Sequence, residues 1–179
     1  MVFRDEVHFR ITTSVTRKRA VRGSAPKVAP PPGRKSVAYS GYVIPETGGL
    51  IVTKPGRFNC ETVIGSIRGM LAELGARDGK RVRLVLDNAP RHRKAAGLTG
   101  GPGDEYADIR ERVDIVNLPP YSPDLNPIEQ VWRVTRREVT HNRYFPDETA
   151  LAAELDAYFA QFRGSNEKLS RLCSFKYKK

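Results

Sequence analysis

Three acidic residues stand where an acid is costly or conspicuous: Asp5, Asp87 and Glu129. Asp5 lies in the middle of residues 2–11 (VFRDEVHFRI), whose alternation puts Phe3, Asp5, Val7 and Phe9 on one face of a strand and Arg4, Glu6 and His8 on the other. A carboxylate on the apolar face of a strand is expensive unless it is paired or binds a metal. Glu6, on the opposite face, is expected to meet solvent or a basic neighbour. Asp87 closes the apolar run 81–86 (RVRLVL), just before Asn88, Ala89 and Pro90 break it. Ligand sites gather at such carboxyl ends of parallel strands. Glu129 follows a helix start at Asn126 and Pro127, since Asn is a favoured N-cap and Pro suits the first helical position. Taken singly, each acid has a structural reading: a buried salt-bridge partner, a turn residue, and a capping box in which Glu129 folds back on the Asn126 N–H. Brought to one sheet edge, the three would repel one another unless a cation neutralised them. Hard carboxylate donors with little His or Cys nearby suit Mg²⁺ or Mn²⁺.

The charge balance names a partner for such a site. Lys and Arg number 31 against 20 Asp and Glu, for a net charge of +11 and a pI near 10.0. That excess argues for a polyanion, and nucleic acid is the usual one. A polyanion beside carboxylate-held divalent metal implies two-metal phosphoryl transfer. The basic side chains cluster at Arg17, Lys18 and Arg19, at Arg91, Arg93 and Lys94, and at Arg133, Arg136 and Arg137. These are candidate phosphate contacts, solvated basic faces being the alternative. Cys60 and Cys173 are too few and too far apart for a disulfide framework or a zinc site, and fit a reducing cytosol. With no apolar run of membrane-spanning length and no secretory h-region, a cytoplasmic, nucleoid-associated protein is expected.

The elements that must position the three acids can be read in order. A chain of 179 residues is expected to form one domain. The strand at 2–11 is followed by a possible hairpin partner at 12–22 and a Pro/Gly-rich basic connection at 23–34. Strands are expected at 37–44 and 50–53 around a turn at 45–49, then a helix at 58–74 with Val63, Ile67, Met70, Leu71 and Leu74 on one face. Strands at 81–86 and 113–118 flank a short basic helix at 91–96, a flexible loop at 97–104 and a helical turn. The Glu129 helix should run to about His141, with Ile128, Val131, Trp132, Thr135 and Val139 facing the core. A last amphipathic helix at 147–162 is capped by Asp147. Residues 1–163 form the expected catalytic unit and 164–179 a basic tail.

Four stretches carry a family likeness. DEVHF at 5–9, LVLDNAPRH at 84–92, LPPYSPDLNPIEQVW at 118–132 and VAYSGYVIPETGGLIV at 37–52 resemble the DDE transposases of bacterial insertion sequences, relatives of the eukaryotic mariner elements. The third stretch is long and specific, and the likeness covers nearly the whole chain. The resemblance implies an α/β ribonuclease-H-like fold with a mixed five-stranded sheet flanked by helices. It implies DNA cleavage and strand transfer with two Mg²⁺ or Mn²⁺ ions, and makes Asp5, Asp87 and Glu129 the metal-binding triad. His92 matches a His that follows the second Asp in many relatives, as a DNA contact or a support behind the metal ligands. Asn88 belongs with it, and Asn126 is expected to position Glu129 through the cap.

Three departures stand out. Relatives usually carry an N-terminal helix-turn-helix region that reads the transposon ends, whereas this sequence opens on the first strand. Arg4 occupies a central strand position that is usually apolar. The 41 residues between Asp87 and Glu129 are slightly more than is typical. The expected partners are therefore transposon-end and target DNA, a separate helix-turn-helix polypeptide from a split reading frame, and a second copy in an active homodimer. The competing readings are a truncated, non-catalytic DNA-binding remnant and a metal-dependent nuclease without strand transfer.

Overall fold

The computed structural model describes residues 1–11, 21–24, 35–75 and 81–174. The strand expected at 12–22 and the connection at 23–34 lie largely outside these residues, as do Arg17, Lys18 and Arg19.

The long apolar alternation near the N-terminus forms β1 (Val2–Arg10), the middle of the sheet. β2 (Ser36–Ile44) and β3 (Gly49–Thr53) add to it as an antiparallel meander. β4 (Val82–Leu86) and β5 (Val113–Asn117) add in parallel on its other side, giving the order β3-β2-β1-β4-β5. The result is the expected mixed five-stranded sheet. The turn at 45–49 depends on Gly48, at φ +69°, where a Cβ would lie 1.8 Å from the Asn166 carbonyl oxygen.

Helices cover both faces. Against one lie α1 (Cys60–Leu74), α2 (Pro90–Gly100) and α3 (Ala107–Arg110), enclosing Val2, Tyr42, Leu84, Leu86, Ile67 and Met70. α1 begins on a capping box between Asn59 and Thr62. Against the other face lie α4 (Ile128–Thr135), α5 (Glu148–Ala160) and α6 (Glu167–Cys173), around Phe3, Val7, Phe9, Tyr39 and Val85. Asp147 caps α5 by accepting from the Ala150 N–H at 2.8 Å. Among the described residues no helix is long and apolar enough to cross a membrane.

Three local expectations are revised. α2 continues through Gly100 where a loop was expected from 97, because Ala95 and Thr99 are buried and Thr99 Oγ1 donates to the Ala95 carbonyl at 2.9 Å. Packing outweighs the low helix propensity of Gly97 and Gly100. The helix expected to reach His141 leaves α geometry after Thr135. Residues Arg136–Thr140 form a π-helical turn closed by the His141 N–H on the Arg136 carbonyl, with Thr140 Oγ1 bonding the same oxygen. Residues Glu167–Cys173, within the stretch read as tail, form α6 and bury Leu169 and Cys173.

Gly41 fits α4 to the sheet. It sits opposite Asp5 in the β1–β2 register, and a Cβ there would lie 2.4 Å from Trp132 Cη2 and 3.0 Å from Ile128 Cδ1. Gly41→Ala should therefore cost about 1–3 kcal/mol through overpacking. In a domain of this size, that is a fall in Tm of roughly 2–12 °C, read by thermal denaturation. An unchanged Tm would mean that α4 shifts freely on the sheet.

Candidate active site

Each acid is delivered by a different element. Asp5 projects from β1 on the face that packs against α4, and Trp132 Nε1–H donates to its Oδ2 at 3.2 Å. Asp87 follows the last residue of β4, and Glu129 lies in the first turn of α4. All three are half-buried and line one hollow of about 300 Å³, with Asn88, Asn126 and the loop 118–123 around it. Leu118 to Pro123 form its apolar lip. Asn88 Nδ2 donates to the Leu118 carbonyl and so ties the ends of β4 and β5 together beside Asp87.

Glu129 does not form the capping box. The Asn126 N–H is taken by the Pro123 carbonyl at 2.9 Å, and no side chain caps α4. The short 3₁₀ turn at Pro123–Leu125 supplies that carbonyl, so the Pro-rich approach itself removes the cap donor. Asn126 instead reaches β1, its Nδ2 donating to the Arg4 carbonyl at 3.2 Å, while its buried Oδ1 has no hydrogen-bond partner among the described residues.

The carboxylates differ electrostatically. Burial pushes Asp5 up to about 7, and the charges of Glu129 and Asp87 add to the rise against the Trp132 N–H. Asp87 is held below the usual carboxylate range by its hydrogen bond to His92, aided by the Ala89 N–H at 3.0 Å. Oδ1 receives both bonds, which leaves Oδ2 without a protein partner among the described residues. As placed, no three His, Cys, Asp or Glu side chains among the described residues close around one point. The donor set still fits a hard divalent cation: three carboxylates line the hollow, and a cation there would offset the burial and like charges that raise Asp5.

The Asp5 shift has a consequence for stability. Between the ordinary carboxyl range and pH 7, the folded chain holds a proton at Asp5 that the unfolded chain has lost. This contribution therefore falls as pH rises from about 4 to about 7 and is flat beyond, amounting to at most about 4 kcal/mol. Glu6 and Asp87 act oppositely, their stabilisation being lost as pH falls below the unfolded carboxyl range. Metal-free melts should show Asp5→Asn gaining on the wild type as pH rises from 4 to 7. A constant difference across that window would mean that Asp5 ionises normally.

Behind Asp87 lies a buried polar chain that ties β1 to α2. His92 is fully buried, its Nδ1 facing Asp87 Oδ1 and its Nε2 lying 2.6 Å from Arg4 Nη1. Arg4, also buried, donates from Nη2 to Glu6 Oε1 at 2.7 Å and from Nε to the Tyr42 hydroxyl at 3.2 Å. Arg91 Nε donates to Glu6 Oε2 at 2.6 Å. Burial alone would raise Glu6, but His92, Arg4 and Arg91 outweigh it and bring it down to about 2. Burial likewise would lower His92, but its bonds to Asp87 and Glu6 raise it. In the neutral ring Nδ1–H donates to Asp87 and Nε2 accepts from Arg4. Protonation turns Nε2–H toward Glu6 Oε1, 3.3 Å away. Glu6 thus has basic neighbours and no solvent, its side chain being 3 % exposed.

Reading the sequence missed Arg4, Glu6 and Trp132 as parts of this apparatus. A signal was present: Arg4 and Glu6 are two apart on one strand face, where opposite charges can pair out of water.

The basic residues divide. Arg91 is committed to Glu6 and lies over the Phe58 ring, and Arg136 lies over Phe9. Arg93, Lys94, Arg133 and Arg137 are exposed, with Arg133 bonded to Gln130 and Arg137 3.4 Å from Glu138.

The family model described as DDE superfamily endonuclease matches residues 1–152. The uncharacterized protein y4pE/y4sA of Sinorhizobium fredii (strain NBRC 101917 / NGR234) is 35% identical over 79 residues, covering 43% of this chain and 51% of that protein. Among solved structures, a pre-cleavage Mos1 transpososome superposes with a TM-score of 0.67 at 17% identity, over 96% of this chain and 51% of the other. The Mos1 mariner paired-end complex with Mn gives 0.65 at 19% identity, over the same shares. These likenesses show the fold, which is ribonuclease-H-like. The chain spans about half the length of the relatives it matches.

Proposed function

This chain belongs to the DDE superfamily of endonucleases, and we propose that it is the catalytic part of a transposase, cutting DNA and joining the cut strand to a target. The observation that carries this reading is the meeting of Asp5, Asp87 and Glu129, from β1, the end of β4 and α4, in one hollow. The fold shared with a pre-cleavage transpososome supports it.

Asp5, Asp87 and Glu129 would hold Mg²⁺ or Mn²⁺, as a pair of ions; a structural relative is a paired-end complex with Mn. When bound, the metal supplies Lewis-acid activation of the attacking oxygen and neutralises charge at the phosphate. The chain's own residues orient the donors. His92 and the Ala89 N–H hold one oxygen of Asp87, and the Trp132 N–H holds one oxygen of Asp5. Exposed Arg93, Lys94, Arg133 and Arg137 are placed to receive DNA phosphates, which fix position and carry no sequence information. Arg17, Lys18 and Arg19 would join them. End recognition would then come from a separate helix-turn-helix polypeptide, with two copies of this chain acting together at the nucleoid and α6 packed onto residues 1–163 in each catalytic unit.

Labelled duplexes carrying the DNA sequences found on either side of its gene, incubated with the chain and Mg²⁺ or Mn²⁺, test this directly. Nicked and target-joined products are expected. Cleavage without joining would make the protein a nuclease, and binding with neither would make it a DNA-binding remnant.

Metal binding has its own readout. A ligand at 100 times its Kd stabilises by about 2.7 kcal/mol, so saturating Mn²⁺ should raise Tm by roughly 5–10 °C. The rise should be much smaller in Asp87→Asn. Equal shifts in both proteins would place the ion elsewhere.

A further inference from the structure

Tyr121 is the large aromatic side chain on the lip of the hollow, and it packs on no core. It lines the same hollow as Asp5, Asp87 and Glu129, yet its ring is wholly exposed, at 102%. Its backbone is left-handed, at φ +57°, a conformation that residues with a side chain rarely adopt. The loop holds it there. Pro119 and Pro120 precede it, Ser122 Oγ donates to the Pro120 carbonyl at 3.1 Å, and Pro123 begins the 3₁₀ turn that leads into α4. A ring of this size normally gains from burial, and a backbone of this kind persists only when its surroundings impose it. Here a rigid frame imposes it and sets a bare aromatic face on the lip of the carboxylate hollow.

We propose that Tyr121 is a stacking platform for an unpaired nucleobase beside the phosphate that enters the hollow. This rests on the reading of the chain as a DNA-cleaving enzyme. A duplex shows its phosphates outward and hides its base faces, so an exposed ring on the lip of the hollow offers a surface that only an unpaired base can use. Aromatic side chains receive such bases because every base has a π-face, and the contact is indifferent to sequence. The nearby lip, Leu118 to Pro120 and Pro123, is apolar and suits a base better than a phosphate. The basic side chains on α2 and α4 remain available to the backbone.

The test uses the full chain and a short single-stranded oligonucleotide, with an abasic oligonucleotide of equal length as control. Tyr121→Phe keeps the ring, Tyr121→Ala removes it, and Tyr121→Gly removes it while suiting the left-handed backbone. Affinity for the base-bearing strand should fall on the order of tenfold in the Ala and Gly variants and stay within about twofold in Phe. Affinity for the abasic strand should not change. A 5-iodouracil strand should photo-crosslink to Tyr121. Equal losses on both strands, or no loss on either, would overturn the proposal. So would a change in oligomeric state on Tyr121→Ala, which would make the ring a contact between copies. If the wild type binds no DNA, the functional reading fails with it. If the wild type binds DNA and cleaves it with Mn²⁺ but shows no dependence on the ring, only the role of Tyr121 is lost.

Discussion

Asp5→Asn, Asp87→Asn and Glu129→Gln should each lower metal-dependent DNA cleavage by at least about 10³-fold while the chain stays folded. The size follows from the charge to be neutralised. A metal clamp contributes several kcal/mol of transition-state stabilisation, and about 4 kcal/mol is a factor of 10³. The fold should survive because all three positions are half-buried and each replacement keeps the shape of the side chain. Asp5→Asn should melt higher than the wild type at pH 7 without metal, since it removes a carboxylate that burial and two like charges disfavour. Asp87→Asn keeps an oxygen that can accept from the Ala89 N–H and from His92. Plasmid nicking with Mn²⁺, beside melts of the same preparations, checks both halves. A variant that cleaves at the wild-type rate would remove its residue from the site. One that neither melts cooperatively nor cleaves would mean that the carboxylate holds the fold together.

The site could be read from the sequence to the extent that its parts are local. An acid on the apolar face of β1, an acid at the end of β4 and an acid just after Asn-Pro each break a pattern on their own strand or helix. So the sequence marks Asp5, Asp87 and Glu129 separately, and the family likeness groups them. The sheet was equally legible, since the alternation in β1 and β2 and the turn at 45–49 are short-range signals. What stayed hidden depends on contacts between distant segments. Asn126 looks like a cap because Asn before Pro usually is one. Only the 3₁₀ turn, which gives the Asn126 N–H a carbonyl, and the nearness of β1, which gives its side chain one, show otherwise. Gly97 and Gly100 read as a loop until Ala95 and Thr99 are seen buried. Arg4 looked out of place in a central strand because its partners His92 and Tyr42 lie 88 and 38 residues away.

That arginine gives the largest expected effect on stability. Among the described residues Arg4 is the only cation that contacts Glu6, His92 and Tyr42 together, and Arg4→Met leaves Glu6, 3 % exposed, with Arg91 and the His92 ring. Breaking a buried ion pair from one side costs about 3–5 kcal/mol, because the remaining charge is stranded out of water. For a domain of this size the expected fall in Tm is roughly 6–20 °C. Replacing the charges together is different: apolar side chains of similar volume in place of a buried ion pair are often neutral or stabilising. Arg4→Met combined with Glu6→Met should therefore melt well above Arg4→Met alone. Activity should not follow the recovery. The double variant still lacks the Arg4 donor on His92 Nε2 and the Glu6 acceptor beside it, so the ring that holds Asp87 loses both of its Nε2 partners. Loss of such support typically costs 10–100-fold in metal affinity or activity. At a temperature where both proteins are folded, the double variant should cleave about 10–100-fold more slowly than the wild type and need more Mn²⁺. If cleavage recovers along with Tm, the Arg4–Glu6 pair only holds β1 against α2, and His92 orients Asp87 without it.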